Sequence, residues 1–393
     1  MRILIIIAFL LLIFSCDGKK ESLSGLIDSN LKLTMEQYKL MNTSLPDSLL
    51  PFSEYPDGRL KTSGSHWWTS GFYPGTLWQL YQYSRDEEIK QMAINRLKVI
   101  ENEKYNDGDH DIGFKILCSF GNAWKATTDT SYKNVILTAA KTLTRRFNPI
   151  AGLIRSWDAI DDTTRFRVIV DNMMNLELLF WATTSTGDSS YYNIAVAHAD
   201  NTWKYFYREN GSSYHVLNFN QKSGRVISKK TAQGYNDISA WARGQAWGLY
   251  GYVMTYRETG EKRFLMHAQK ISGFIINHPH LPENCIPYWD FDAPGIPNAL
   301  RDASAGAILA SAMIEFSKYV NGPLKLQSLQ FAETALHTLS SSEYRAQLGE
   351  NNNFLLKHGV GHLPANSEVN VPLIYADYYY VEALMRLKEF QEE

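Results

Sequence analysis

The chain repeats itself, and the repeat limits its fold more than any other feature. Six segments begin in a similar way: Ser70-Gly71-Phe72-Tyr73-Pro74-Gly75, His110-Asp111-Ile112-Gly113-Phe114, Val170-Asp171-Asn172-Met173-Met174-Asn175, Ser239-Ala240-Trp241-Ala242-Arg243-Gly244, Asp302-Ala303-Ser304-Ala305-Gly306 and Ala376-Asp377-Tyr378-Tyr379-Tyr380. They recur at intervals of about 40 to 75 residues, a spacing that marks stacked supersecondary units. Each leads into a helical apolar pattern, over about 72–84, 112–127, 170–184, 240–257, 303–319 and 373–390. A second set of helical patterns alternates with these, over about 26–43, 87–103, 131–146, 189–209, 261–278 and 325–340. Most of the repeated openings carry a Ser or Asp that reads as an N-cap. Their small residues allow close packing in an inner ring, and the more amphipathic helices then form an outer one. The expected fold is all-α, six helical hairpins closed into an (α/α)6 barrel, with an open solenoid as the competing arrangement.

The N-terminus is set apart from that pattern. Met1-Arg2 precedes an apolar run from Ile3 to Phe14, too short to span a bilayer and followed by Ser15-Cys16. This reads as a lipoprotein signal peptide over 1–15, lipidation at Cys16, a tether over 16–25 and one catalytic domain over 26–393. The reading places the domain in the periplasm or at the cell surface, in contact with a membrane only through the lipid. The other cysteines, Cys118 and Cys285, cannot form a disulfide framework. Cys118 lies in an apolar helical pattern and reads as a small core residue. With 39 Lys plus Arg against 41 Asp plus Glu, the net charge is -2, and no basic footprint for nucleic acid exists. Aromatic residues make up 13% of the chain and serve either a core or sugar stacking.

In a closed barrel the second helices run in one direction, so their N-terminal ends meet at one mouth. Helix N-termini favour anions, and a carboxylate-bearing ligand suits that end. Asp111 and Asp171 open the second and third inner helices. Two carboxylates at a sugar-binding mouth suit general acid–base work on a glycoside, although capping is the commoner use of Asp at a helix start. Asp171 has apolar neighbours, which would raise its pKa and keep it protonated as an acid. The stretch from Ser212 to Trp247 adds His215, Gln233, Trp241, Arg243 and Trp247. Arg243 lies near a helix start, where the dipole disfavours a cation, so a bound anion or Asp237 is its natural counter-charge. Trp68, Trp241 and Trp247 are candidate stacking platforms, though at helical spacing some belong to the core. No metal site is indicated. His358 and His362 are four residues apart, but Gly359, Gly361 and Pro364 break the helix that would carry them.

Trp68-Thr69-Ser70-Gly71-Phe72-Tyr73-Pro74-Gly75, His110-Asp111-Ile112-Gly113-Phe114, Asp171-Asn172-Met173-Met174-Asn175, Trp241-Ala242-Arg243-Gly244-Gln245-Ala246-Trp247 and Tyr375-Ala376-Asp377-Tyr378-Tyr379-Tyr380 together resemble glycoside hydrolase family 88, the unsaturated glucuronyl hydrolases. The resemblance runs from about residue 30 to 390 with the motifs in order. It implies an (α/α)6 barrel and removal of the 4,5-unsaturated uronate that a polysaccharide lyase leaves on an oligosaccharide. By that resemblance, Asp171 protonates C4 and then activates the water that attacks C5. Asp111 is the second essential aspartate, and His215, Gln233, Arg243 and Trp247 match substrate-binding positions; Trp68, His110 and Trp241 are further candidate substrate-binding residues. No metal or cofactor is implied. Some members carry a Ser/Lys cluster for sulfated sugars in the loop before the last helix. Here that loop has Lys357 and Ser367 in a different arrangement. Family 105, the unsaturated rhamnogalacturonyl hydrolases, and a non-catalytic glycan-binding lipoprotein are the alternatives.

Overall fold

The computed structural model describes residues 22–392. The signal-peptide and Cys16 assignments lie outside that range. Among the described residues are twelve α-helices: α1 (Leu23–Ser44), α2 (Phe72–Ser84), α3 (Glu87–Ile100), α4 (Asn122–Thr127), α5 (Thr130–Thr144), α6 (Leu176–Thr186), α7 (Ser189–Phe206), α8 (Ala242–Thr259), α9 (Lys262–Ile276), α10 (Ala303–Ser317), α11 (Gly322–Leu339) and α12 (Ile374–Glu392). The first described helix begins three residues earlier than its periodicity suggests, because the Ser22 hydroxyl accepts from the Gly25 amide and caps α1.

The two rings follow from the residue patterns. Along α5, Val135, Ile136, Ala139, Ala140 and Leu143 form one buried stripe, and the opposite face is solvated. By contrast, every residue of α10 is buried. The inner ring passes from α2 through the segment ending in α4, then α6, α8, α10 and α12, and α12 packs back on α2. That last contact closes the barrel and excludes the solenoid.

Close approach depends on glycine. A Cβ on Gly75 of α2 would lie 2.3 Å from the Cys118 carbonyl oxygen of the neighbouring inner segment. Alanine there gains helix propensity of about 1 kcal/mol but forces two backbones apart, a cost of roughly 1–3 kcal/mol. On outer helix α9, a Cβ on Gly273 would meet nothing within 4 Å. Gly75→Ala is therefore expected to lower the urea midpoint and Gly273→Ala to raise it. Equal shifts would refute this account of the inner ring.

Capping differs from the sequence reading. The helices capped by their own Ser or Asp side chains are mostly outer ones: Ser22, Asp86, Asp129 and Asp188 cap α1, α3, α5 and α7. Of the inner openings, Asp302 caps α10, while Gly71 and Trp241 make no side-chain cap bond. The second opening winds as a π-helix over Gly113–Gly121 before α4, and the third as a 3-10 turn over Val170–Asn175 before α6. Departures of this kind gather at functional sites.

Among the described residues, nine short strands form four antiparallel sheets in the loops; β1 (Leu50–Glu54) pairs with β2 (Leu60–Ser63), and β3 (Phe147–Asn148) with β4 (Leu153–Ile154). The largest sheet joins β5 (Arg167–Ile169), β6 (Val216–Phe219) and β7 (Val226–Lys230). A hairpin of β8 (Gly359–His362) and β9 (Ser367–Val371) precedes α12.

Candidate active site

Strand β5 delivers Asp171 to the mouth. It pairs with β6 as far as Ile169 opposite Val216, and the Val170 amide then donates to the His215 carbonyl at 3.1 Å. The 3-10 turn follows at once, so Asp171 emerges beside the His215 ring. Asp171 Oδ2 lies 3.6 Å from His215 Nε2, and neither atom has a hydrogen-bond partner in the chain. That gap is too long for a direct bond and leaves both atoms available to a third group.

The chemistry of each group is set by burial. Asp171 is 9% exposed. Desolvation pushes its pKa from an ordinary 3.8 to about 7, against the pull of the Arg243 charge and a hydrogen bond from the Trp247 indole. Burial lowers His215 to about 3, so the ring is neutral. Its Nδ1 accepts from the Ala232 and Gln233 amides, which places the proton on Nε2, toward Asp171. Trp241 stacks on this ring at 4.3 Å between centroids and holds it in place.

Asp111 sits on the neighbouring inner segment. Burial and Asp109 push its pKa well up, Lys115 pulls it down, and the charge of Asp171 adds to the rise. Capping is not its task. Asp109 does that work, accepting from the Asp111 amide at 2.8 Å while holding the buried Lys115 ammonium at 2.9 Å. His110, lowered to about 3 chiefly by burial, donates from Nδ1 to the Ser156 carbonyl. Its bare Nε2 lies 3.3 Å from Asp111 Oδ1, and Asn175 Nδ2 approaches the same oxygen at 3.5 Å.

Arg243 is 1% exposed, and its partner is not Asp237. It pairs with Asp302 Oδ2 at 2.9 Å and donates to the Val360 and Gly361 carbonyls, both at 2.6 Å. Asp237 instead binds Lys230 at 2.8 Å. Sequence neighbourhood suggests a partner six residues away, whereas the packing of α10 beside α8 brings one from the next inner helix. Asp302 was legible only as a helix opening. Gln233 donates to the Gly361 carbonyl at 3.0 Å, and Ala232 accepts from His362 at 2.9 Å, so strand β8 seals this side.

The three tryptophans divide. Trp247 is buried against Phe114 and Tyr379, and Trp241 beneath His215 and Arg243. Trp68 remains half-buried, with its ring 4.8 Å from that of Tyr375. Trp157, a loop residue outside the repeat, lies edge-on to His215 at 6.2 Å and was not singled out by sequence. The four-residue histidine pair forms no common site: His358 faces Asn370, and His362 faces Ala232. His278, His280 and Asp292 do bring ligand atoms within 4.8 Å of one another on the surface. There, His278 Nδ1 already accepts the His280 amide. Cys118 is half-buried, and burial pushes its thiol well up.

Residues 51–280 match the model of Glycosyl Hydrolase Family 88. The chain belongs to glycoside hydrolase family 88. An unsaturated glucuronyl hydrolase of Formosa agariphila is 46% identical over 81% of this chain and 79% of its own length. An unsaturated chondroitin disaccharide hydrolase of Streptococcus pyogenes is 31% identical over 92% of this chain and 90% of its own. The crystal structure of an unsaturated glucuronyl hydrolase specific for heparin superposes with a TM-score of 0.90 at 42% identity, covering 94% of this chain and 98% of that one. Membership makes the protein a glycosidase and sets aside the family 105 alternative.

Proposed function

We propose that this family 88 enzyme removes the 4,5-unsaturated uronate from the non-reducing end of lyase-generated oligosaccharides by hydrating the C4=C5 bond. The observation that carries the reading is the pair formed by Asp171 and His215. A carboxyl with a pKa of about 7 is partly protonated at neutral pH, and its conjugate base is still basic enough to take a proton from water. Asp171 gives its proton to C4. The ring oxygen stabilises the cation that forms at C5. Water then attacks C5 as the Asp171 carboxylate takes one of its protons, which restores the acid. The resulting hemiketal opens and releases the shortened saccharide. Neutral His215 donates from Nε2 into the gap beside Asp171, and Asp111, whose pKa burial pushes well up, has His110 Nε2 within reach. The uronate carboxylate suits a mouth built from helix N-termini. Relatives named for glucuronate and chondroitin disaccharides support a glycosaminoglycan-like substrate. The reading includes a lipid tether at Cys16, supported by the apolar run before it.

One experiment tests both parts. Cells making the full chain are separated into soluble and membrane fractions. Each fraction is then assayed for loss of ultraviolet absorbance from unsaturated chondroitin, hyaluronan, heparin and ulvan fragments. The expected result is loss of the alkene signal on at least one substrate, confined to the membrane fraction. A persistent signal on every substrate rejects the hydrolase reading, and fully soluble activity rejects the tether.

A further inference from the structure

Lys357 and Ser367 do not come together in the loop before α12. Lys357 Nζ donates to the Ser342 carbonyl at 2.7 Å, and Ser367 is paired on β9 opposite His362. Cations gather instead on the sheet that carries Asp171. In this sheet Arg167 lies opposite Asn218 and Asn218 opposite Ser228, while Ile169 lies opposite Val216 and Val216 opposite Lys230. Alternation sends all six of these side chains to one face. The other face, with Val168, Leu217 and Phe219, is buried in an apolar cluster with Phe166 and Phe206.

The polar face lines a cavity of about 310 Å³, bounded by Trp157, Arg165, Arg167, Asn218, Ser228 and Lys230. No carboxylate lines it. Asp158 takes Nε and Nη2 of Arg167 from behind, which fixes the guanidinium and leaves Nη1 unclaimed. Arg165 is exposed and engages its neighbours through its backbone amide. Lys230 shares a solvent-exposed pair with Asp237, which an incoming anion can displace at little cost. The cavity adjoins the catalytic pair. Ala232, in its wall, donates its amide to His215, and Trp157 stands between the His215 ring and Arg167.

We propose that this sheet face receives the sugar following the unsaturated uronate, and that Arg165, Arg167 and Lys230 select products bearing a sulfate on that sugar. The inference rests on the hydrolase reading above for its substrate, but its binding can be tested apart from turnover. The contacts from Arg165 and Lys230 alone are expected to favour the sulfated substrate by about ten- to a hundredfold. The test variant is the double substitution Arg165→Gln/Lys230→Gln. Arg167 is kept, because removing it would strand the buried Asp158. Kinetics are compared on two unsaturated disaccharides that differ only in a sulfate on the second sugar. The wild type should prefer the sulfated one at least tenfold in kcat/KM. In the double variant that ratio should fall toward one through KM, with kcat on the sulfated substrate retained. A wild-type ratio near one, or an unchanged ratio in the variant, overturns the proposal. Calorimetry with a sulfated hexosamine and its unsulfated counterpart gives a second readout that needs no turnover. Sulfate-dependent binding that the variant loses, in a protein inactive on every unsaturated substrate, would sink the hydrolase reading and keep the subsite. Equal binding of the two sugars would sink the subsite.

Discussion

Asp171→Asn is expected to lose at least about a thousandfold in kcat and yet to be more stable than the wild type at pH 8. The rate effect follows from the two proton transfers assigned to this one carboxyl, since a positioned general acid or base contributes about 10²–10⁴. An amide can neither supply the proton to C4 nor take one from water. The stability effect comes from the same burial that makes the group useful. The folded pKa of about 7 lies above the ordinary 3.8, so the folded state keeps a proton that the unfolded chain has already lost. Stability from this group is complete below about pH 3.8 and is lost as pH rises through 7. Asparagine does not ionise and avoids that loss. At roughly 1.4 kcal/mol per pKa unit, the difference reaches a few kcal/mol above pH 7 and shrinks toward zero near pH 4. Urea midpoints at pH 4.5, 6 and 8 measure it directly. A variant no more stable than wild type at pH 8 would show that Asp171 is not held against its ionisation. A variant with undiminished turnover would remove Asp171 from the mechanism.

Much of this arrangement is written in the sequence, and the parts that are not have physical causes. The inner helices are legible because each needs small residues where backbones meet, as Gly75 does against Cys118. Asp111 and Asp171 are legible because they open two of those helices. Capping was assigned to the wrong ring. Outer helices use Ser22, Asp86, Asp129 and Asp188, whereas most inner openings carry no side-chain cap. A Ser or Asp there looks like a cap in one dimension and is a site residue in three. The Arg243 partner is hidden for a related reason: Asp302 comes near only because the consecutive inner helices α8 and α10 pack side by side, which no local spacing encodes. Trp157 and the cationic face of β5–β7 lie outside the repeat. Their juxtaposition comes from strand register, which the sequence shows only as an extended stretch before a Lys222-Ser223-Gly224 turn.

Asp302→Ala is expected to have the largest effect on the fold and to shift the pH profile as well. Asp302 is fully buried. Its Oδ2 accepts from Arg243 at 2.9 Å, and its Oδ1 accepts from the Ser304 amide at 3.0 Å and the Val360 amide at 3.2 Å. The carboxylate thus caps α10, neutralises Arg243 and anchors β8. Its removal leaves a buried guanidinium with only neutral partners, the Val360 and Gly361 carbonyls and the Ser304 hydroxyl, a loss of about 3–5 kcal/mol. Arg243→Met/Asp302→Leu removes both charges and should recover part of that loss, because no orphan charge remains. Activity separates the two variants. Burial of Arg243 opposes its charge, but Tyr375, Asp302 and Asp171 hold it protonated. With Asp302 gone, the uncancelled positive charge stabilises the Asp171 carboxylate and lowers its pKa below 7. The limb of the pH–rate profile set by Asp171 should move toward acid. In the double variant the cation itself is gone, and since Arg243 pulls the Asp171 pKa down, that limb should move toward alkali. Opposite displacements from two substitutions of one buried pair would locate the Asp171 titration in the field of Arg243. Profiles displaced in the same direction would mean that the loosened β8 strand, and not charge, controls the site.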